Sequence, residues 1–333
     1  MLLTPADSAG ESSYNPMLTD VVDELTAAGI AVDSDGALCV FFDDITGPDG
    51  DPIPLMVRKR DGGFGYAATD LATIRHSIRD RKGTRLLYVV DARQALHFRM
   101  VFATARRAGW LTDQIQAVHV PFGTVLGPDG RPFKTRSGGT VRLADLLDTA
   151  VDGARKVILD KDSDLDPAAL EPLAHASGIG AVKYADLSTS RTRDYVFDVD
   201  RMVSLTGNTG VYLQYAHARI HSILRRQAAS GSPSADPAVD ASLTPHPAER
   251  ALALMLDEFG DVLTAVADNL EPHQLCGYLY TLARAFTSFY DQCPVLKADT
   301  AASRTNRLTL CRLTSTTLAT GLDLLGIAAP EHL

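Results

Sequence analysis

The sequence predicts a partial doubly wound α/β half followed by an all-helical half. A buried strand, a helix and a second buried strand follow one another across residues 85–121, a βαβ crossover that implies parallel pairing. Beyond residue 140 the strand pattern fades and helical spacing takes over. The 333 residues, 45% hydrophobic and 22% charged, are enough for two cores. The boundary is set near residue 200, giving domains 1–200 and 201–333.

In the first half, Met17, Val21, Val22, Leu25 and Ala28 share a helical face that stops at Gly29. Strands are expected at Ala37–Phe42 and Ile53–Lys59, joined by the turn-rich Thr46–Pro52. A helix should begin near Thr69-Asp70, with Leu71, Ile74 and Ile78 inward. Arg85–Asp91 reads as a fully buried strand, Gln94–Ala108 as a helix closed by Gly109, and Gln116–Pro121 as the next strand. In the second half, helical spacing runs through Leu143–Ala150, Pro167–Ala176, Asn208–Gln227, Pro247–Ala267, Pro272–Tyr290 and Ser303–Leu325. The low-complexity segment Ala228–Ser242 lies between them.

Charge and composition exclude some functions. With 41 acidic against 32 basic side chains, net -9, the balance argues against a non-specific DNA binder, although local basic groups leave RNA open. No apolar run can span a bilayer, and the first residues lack the pattern of a signal peptide. Four scattered cysteines with no Cys-x-x-Cys pair fit reduced thiols in a cytoplasmic protein.

The richest motif is Gly127-Pro-Asp-Gly-Arg-Pro-Phe-Lys-Thr-Arg-Ser-Gly-Gly139. A tight turn feeds a glycine-rich loop bearing Lys134, Arg136 and Ser137, just past a parallel strand, where open α/β sheets bind ligands. Lysine and arginine there can meet triphosphate oxygens; the same residues also suit a solvated basic hairpin. Tyr66 and Asp70, four apart, could hold a cationic head by charge and ring face, or could be a half-buried ring and a helix cap. Gln94 and His97 follow the strand ending at Asp91, as ligand contacts or as capping groups. His217 and His221 have i, i+4 spacing with no third metal ligand in sight, so surface histidines are the better reading and no metal site is expected. Tyr212, Tyr215 and Arg219 share one helical side, suited to stacking unpaired bases or to a core with a paired arginine. Arg304 and Arg307 form a basic edge of the kind that is usually solvated.

Taken together, these segments resemble arginyl-tRNA synthetase, a class I aminoacyl-tRNA synthetase. The carrying stretches are Asp61–Ala72, Tyr88–Phe98, His119–Gly123, Phe133–Val141, Gly178–Leu187, Asn208–Arg219 and Gly321–Pro330, in order along nearly the whole chain. The resemblance implies a Rossmann-like class I sheet and a helical anticodon-binding domain of the DALR type. It implies an arginine pocket of Tyr66, Asp70 and Gln94, with Asp70 pairing the substrate guanidinium. His97, Phe98, His119 and Phe122 would lie by the ATP site, and the Lys134–Gly138 loop would grip its phosphates. Tyr212, Tyr215, Arg219 and Tyr290 would meet the anticodon loop. The substrates implied are L-arginine, ATP with Mg2+, and tRNA(Arg), with no tightly bound cofactor, membrane or DNA.

None of the nine histidines opens a His-x-Gly-His signature, and the sequence starts midway through the family's catalytic domain. A parallel sheet lacking its first strands should expose an edge and an apolar face, which a second chain could complete. Three readings follow: an arginine-activating ligase, a truncated tRNA-binding module without adenylate chemistry, or half of a split or pathway-specific enzyme.

Overall fold

The computed structural model describes residues 4–47, 50–133, 141–161, 165–229 and 239–333. The chain forms two compact units that divide at Gly123/Thr124.

The first unit opens with 3-10 turns and α1 (Leu18–Ala27), whose buried Leu18, Val21, Val22 and Leu25 follow the expected stripe. Gly29, at φ 68°, ends it. A small antiparallel sheet follows, β1 (Val32–Ser34), β2 (Ala37–Val40) and β3 (Leu55–Arg58), in that order. Its first strand is too short to show in the sequence. Next, α2 (Tyr66–Arg79) begins at N-cap Gly65, one turn earlier than expected, so Asp70 lies inside the helix and caps nothing. Then come β4 (Arg85–Asp91), α3 (Ala95–Arg107) and β5 (Gln116–Phe122). The two strands pair in parallel over their whole length, from Arg85↔Gln116 to Asp91↔Phe122.

The core of this unit joins α1, α2, α3 and the inward residues of the strands. Contrary to the fully buried strand expected at 85–91, β4 alternates, with Leu87 43% and Val89 62% exposed. The reason is coverage: Leu86, Tyr88 and Val90 pack on the core of this unit, while Leu87 and Val89, on the opposite face, stand outside it.

The second unit starts with a two-strand parallel contact, β6 (Val125–Leu126) with β7 (Tyr195–Val196). The rest is helical: α4 (Leu143–Lys161), α5 (Pro167–Ser188), α6 (Val199–Met202), α7 (Gly210–Ala229), α8 (Pro247–Asp257), α9 (Phe259–Asn269), α10 (Pro272–Gln292) and α11 (Ala301–Leu324). Helices α4 and α5 run well past their predicted ends, and the single helix expected over 247–267 is two. Among the described residues no helix is long and apolar enough to cross a membrane.

Two glycines set the helix spacing in this unit. A Cβ on Gly178 would stand 2.5 Å from Val151 Cα, so α5 lies against the backbone of α4 there. A Cβ on Gly210 would stand 2.9 Å from Gly180 O, bringing α7 equally close to α5. The buried Tyr184 closes that corner, its hydroxyl donating to Asn208 Oδ1 at 2.7 Å or Cys276 O at 2.9 Å.

Gly178→Ala should therefore destabilise the protein by about 1–3 kcal/mol, the usual range for overpacking. Gly277, exposed in α10 with no atom within 4 Å of where a Cβ would stand, is the control. Gly277→Ala should be neutral or stabilising by up to about 1 kcal/mol. Urea midpoints of the two variants check the contrast.

Candidate functional site

In the first unit the βαβ crossover carries the candidate residues to the carboxyl ends of β4 and β5. Asp91 closes β4 and accepts from Arg93 N at 2.8 Å, while pairing with the Arg93 guanidinium at 2.7 Å. That hydrogen bonding holds the Asp91 carboxyl down at about 2. Asp91 thus caps the 3-10 turn Ala92–Gln94, and the Gln94 side chain makes no cap hydrogen bond. Gln94 is exposed instead.

His97, in the first turn of α3, places Nε2 2.6 Å from Oδ2 of Asp70 on α2. Both side chains keep about a quarter of their exposure, 26% and 27%, so the pair is reachable from solvent. The His97 ring meets Phe98 edge-on at 5.2 Å. Phe98 is buried and stacks on His119 of β5 at 5.5 Å and 21°. Tyr88 of β4 packs against Phe98 and Phe102 at 5.0 and 5.3 Å. Burial, and then the nearby Asp70 charge, push the Tyr88 hydroxyl well above the usual tyrosine range. His119 Nε2 is buried without a hydrogen-bond partner.

The structure thus brings Asp70, His97, Phe98 and His119 into one linked cluster. Tyr66, 73% exposed at the start of α2, and Phe122, 44% exposed at the end of β5, stand outside it, as does Gln94. No hydrogen bond or ring contact joins those three to the cluster among the described residues. Tyr88 is the member that the sequence reading did not single out; its alternation with the exposed Leu87 and Val89 is the signal that could have found it. Lys134, Arg136 and Ser137 lie outside the described residues; the turn leading to them closes through Gly130 N to Gly127 O at 2.9 Å.

In the second unit, Tyr215 and Arg219 of α7 line a cavity of about 490 Å³. Ala154, Ile158, Leu173 and Val211 give it apolar walls, and Lys161 and Arg225 add positive charge. Lys161 Nζ sits over the Tyr215 ring at 3.9 Å, and the Arg219 guanidinium over Tyr290 at 4.2 Å. Tyr212 instead meets Tyr280 edge-on at 5.7 Å. The four residues expected at an anticodon surface are thus split between the cavity and the α7–α10 contact. Lys161 was invisible to a helix-face argument because it comes from α4.

His217 and His221 are not a surface pair. His217 is 3% exposed and donates Nδ1–H to Pro330 O at 2.9 Å, and the two rings lie 4.5 Å apart. With His221 Nδ1 3.7 Å from Glu331 and Arg225 donating to Glu331 O at 3.0 Å, they hold residues 330–331 against α7. No group of three His, Cys, Asp or Glu side chains is placed to hold a metal ion among the described residues. Nor are Arg304 and Arg307 a solvated edge: Arg307 pairs with Glu249 at 2.5 Å, with both side chains largely buried, and Arg304 Nε is buried.

Burial holds the His217 imidazole below the ordinary histidine range. The unfolded chain then binds that proton more readily than the folded one, so stability should fall as pH drops below about 6.5. His217→Asn, which retains a donor for the Pro330 carbonyl, should flatten the fall in urea midpoint between pH 7.5 and 5.5.

Comparison with known proteins bears on both units. Residues 2–199 match the family model for class I tRNA synthetases (R), catalytic domain, and residues 213–333 match the DALR anticodon binding domain. The arginine–tRNA ligase of Frankia casuarinae is 68% identical over all of this chain, which covers 56% of that protein. The arginine–tRNA ligase of Streptomyces coelicolor is 56% identical, again with 56% of its length covered. The chain spans a little over half the length of these curated relatives. Among solved structures, arginyl-tRNA synthetase of Thermus thermophilus aligns with a TM-score of 0.82 at 28% identity, covering 96% of this chain and 58% of that one. The Plasmodium falciparum arginyl-tRNA synthetase structure gives the same score and identity, with 98% and 54% covered. By these matches the chain belongs to the class I arginyl-tRNA synthetase family.

Proposed function

We propose that this chain supplies the arginine-recognising and anticodon-reading parts of an arginine–tRNA ligase. The observation that carries the reading is the Asp70 carboxylate, held by His97 at the carboxyl end of a parallel strand pair and open to solvent. A fixed carboxylate there can take a planar guanidinium by charge-assisted hydrogen bonds, a geometry that an ammonium does not reproduce. Tyr66 and Gln94 are exposed nearby in sequence and complete the arginine pocket of this proposal.

In the reaction, an arginine carboxylate oxygen attacks the α-phosphorus of ATP and pyrophosphate leaves; a ribose hydroxyl of tRNA(Arg) then attacks the carbonyl and AMP leaves. No protein nucleophile is required, so the work is positioning and charge stabilisation. Lys134 and Arg136, with Ser137, serve the phosphates, while Phe98, His119 and Phe122 serve the nucleoside side. Mg2+ comes with the ATP phosphates and needs no cluster of protein ligands. The Tyr215–Arg219 cavity, apolar within and cationic around it, suits an unpaired base with its phosphate, and Tyr290 extends it. The setting is cytoplasmic, in keeping with four free, buried thiols.

The bare face of β4, with Leu87 and Val89, is where a covering layer of such a domain would pack, from this polypeptide or a second chain. It also favours a second reading: the helical unit contains its own cavity and could bind tRNA without adenylate chemistry.

Arginine-dependent ATP–pyrophosphate exchange, with and without tRNA(Arg), separates the two. Exchange lost in Asp70→Ala and Lys134→Ala supports the ligase. Absent exchange with retained tRNA binding supports the binding module. In either case Tyr215→Ala should weaken tRNA binding by roughly 1–3 kcal/mol, the scale of one stacked base.

A further inference from the structure

An ionised carboxylate only accepts hydrogen bonds, so the His97 Nε2 that stands 2.6 Å from Asp70 Oδ2 must carry a proton. One lone pair of Oδ2 is thereby engaged, while Oδ1 and the second lone pair of Oδ2 remain for a ligand. The imidazole is fixed from behind as well. Its ring is edge-on to Phe98, and Phe98 is itself wedged between Tyr88 and His119. The orientation of Asp70 is therefore inherited from packed aromatic rings on β4, α3 and β5.

From this geometry we infer that His97 is a positioning residue. By donating to the Asp70 carboxylate from a fixed ring it orients that carboxylate for a guanidinium ligand. The inference rests on the reading of Asp70 as the guanidinium partner.

The other titratable groups around the pair leave this role to His97. Tyr88 on β4 is pushed far from ionisation by burial, and His119 on β5 touches Phe98. Arg93, ahead of α3, is engaged by Asp91, and Tyr66 on α2 is turned to solvent. No lysine or arginine ion pair reaches Asp70 among the described residues.

The test is calorimetric titration of L-arginine into the purified chain at pH 8.0. His97→Ala should bind arginine several-fold more weakly than the wild type. His97→Gln, whose amide N–H can replace the imidazole donor, should recover much of that loss. Thermal melts verify that each variant is folded. Arginine binding that Asp70→Asn abolishes, but that His97→Ala leaves unchanged, would overturn this inference alone. No arginine binding by the wild type, or binding indifferent to Asp70→Asn, would overturn the reading of Asp70 and this inference with it.

Discussion

The parallel pairing of β4 with β5 decides what the first unit can do. Seven residues of each strand run in register, so both strands end on the same side, at Asp91 and Phe122. A parallel pair needs a crossover, and the crossover here is α3, whose first turn must start at that same end. His97 is therefore delivered to the carboxyl edge by topology, and α2, packed on the same core, brings Asp70 to meet it. An antiparallel pairing of the same strands would put α3 and its histidine elsewhere.

A different constraint rules the helical unit. Glycines at 178 and 210 let α4, α5 and α7 approach backbone to backbone, so the side chains of α7 are set by its neighbours. Two consequences meet in the cavity: Lys161 of α4 reaches the ring of Tyr215, and Arg219 is held over Tyr290 of α10. Each ring is thus paired with a cation from a neighbouring turn or helix, an arrangement that no single helix face could supply.

Much of this was legible in the sequence where one period governs burial. The stripe of α1, the span of β4 and the Phe98, Val101, Phe102, Ala105 face of α3 follow from local pattern alone. Spacing singled out Asp70, His97 and Tyr215 as candidates, and the family resemblance gave each an expected role. What escaped is tertiary. Leu87 and Val89 look like core residues but lack a covering layer, and Arg307 looks solvated but finds Glu249 of α8. The bond between Asp70 and His97 joins residues 27 positions apart, and no spacing rule links them.

If Asp70 and the start of α3 form an arginine site within this chain, bound ligand must slow local opening there. Hydrogen–deuterium exchange with and without saturating L-arginine tests this most directly. Exchange should slow in peptides covering 66–70 and 94–98, with the helical unit unchanged. Unaltered exchange in both segments, or protection confined to other parts of the chain, would contradict an arginine site at this edge.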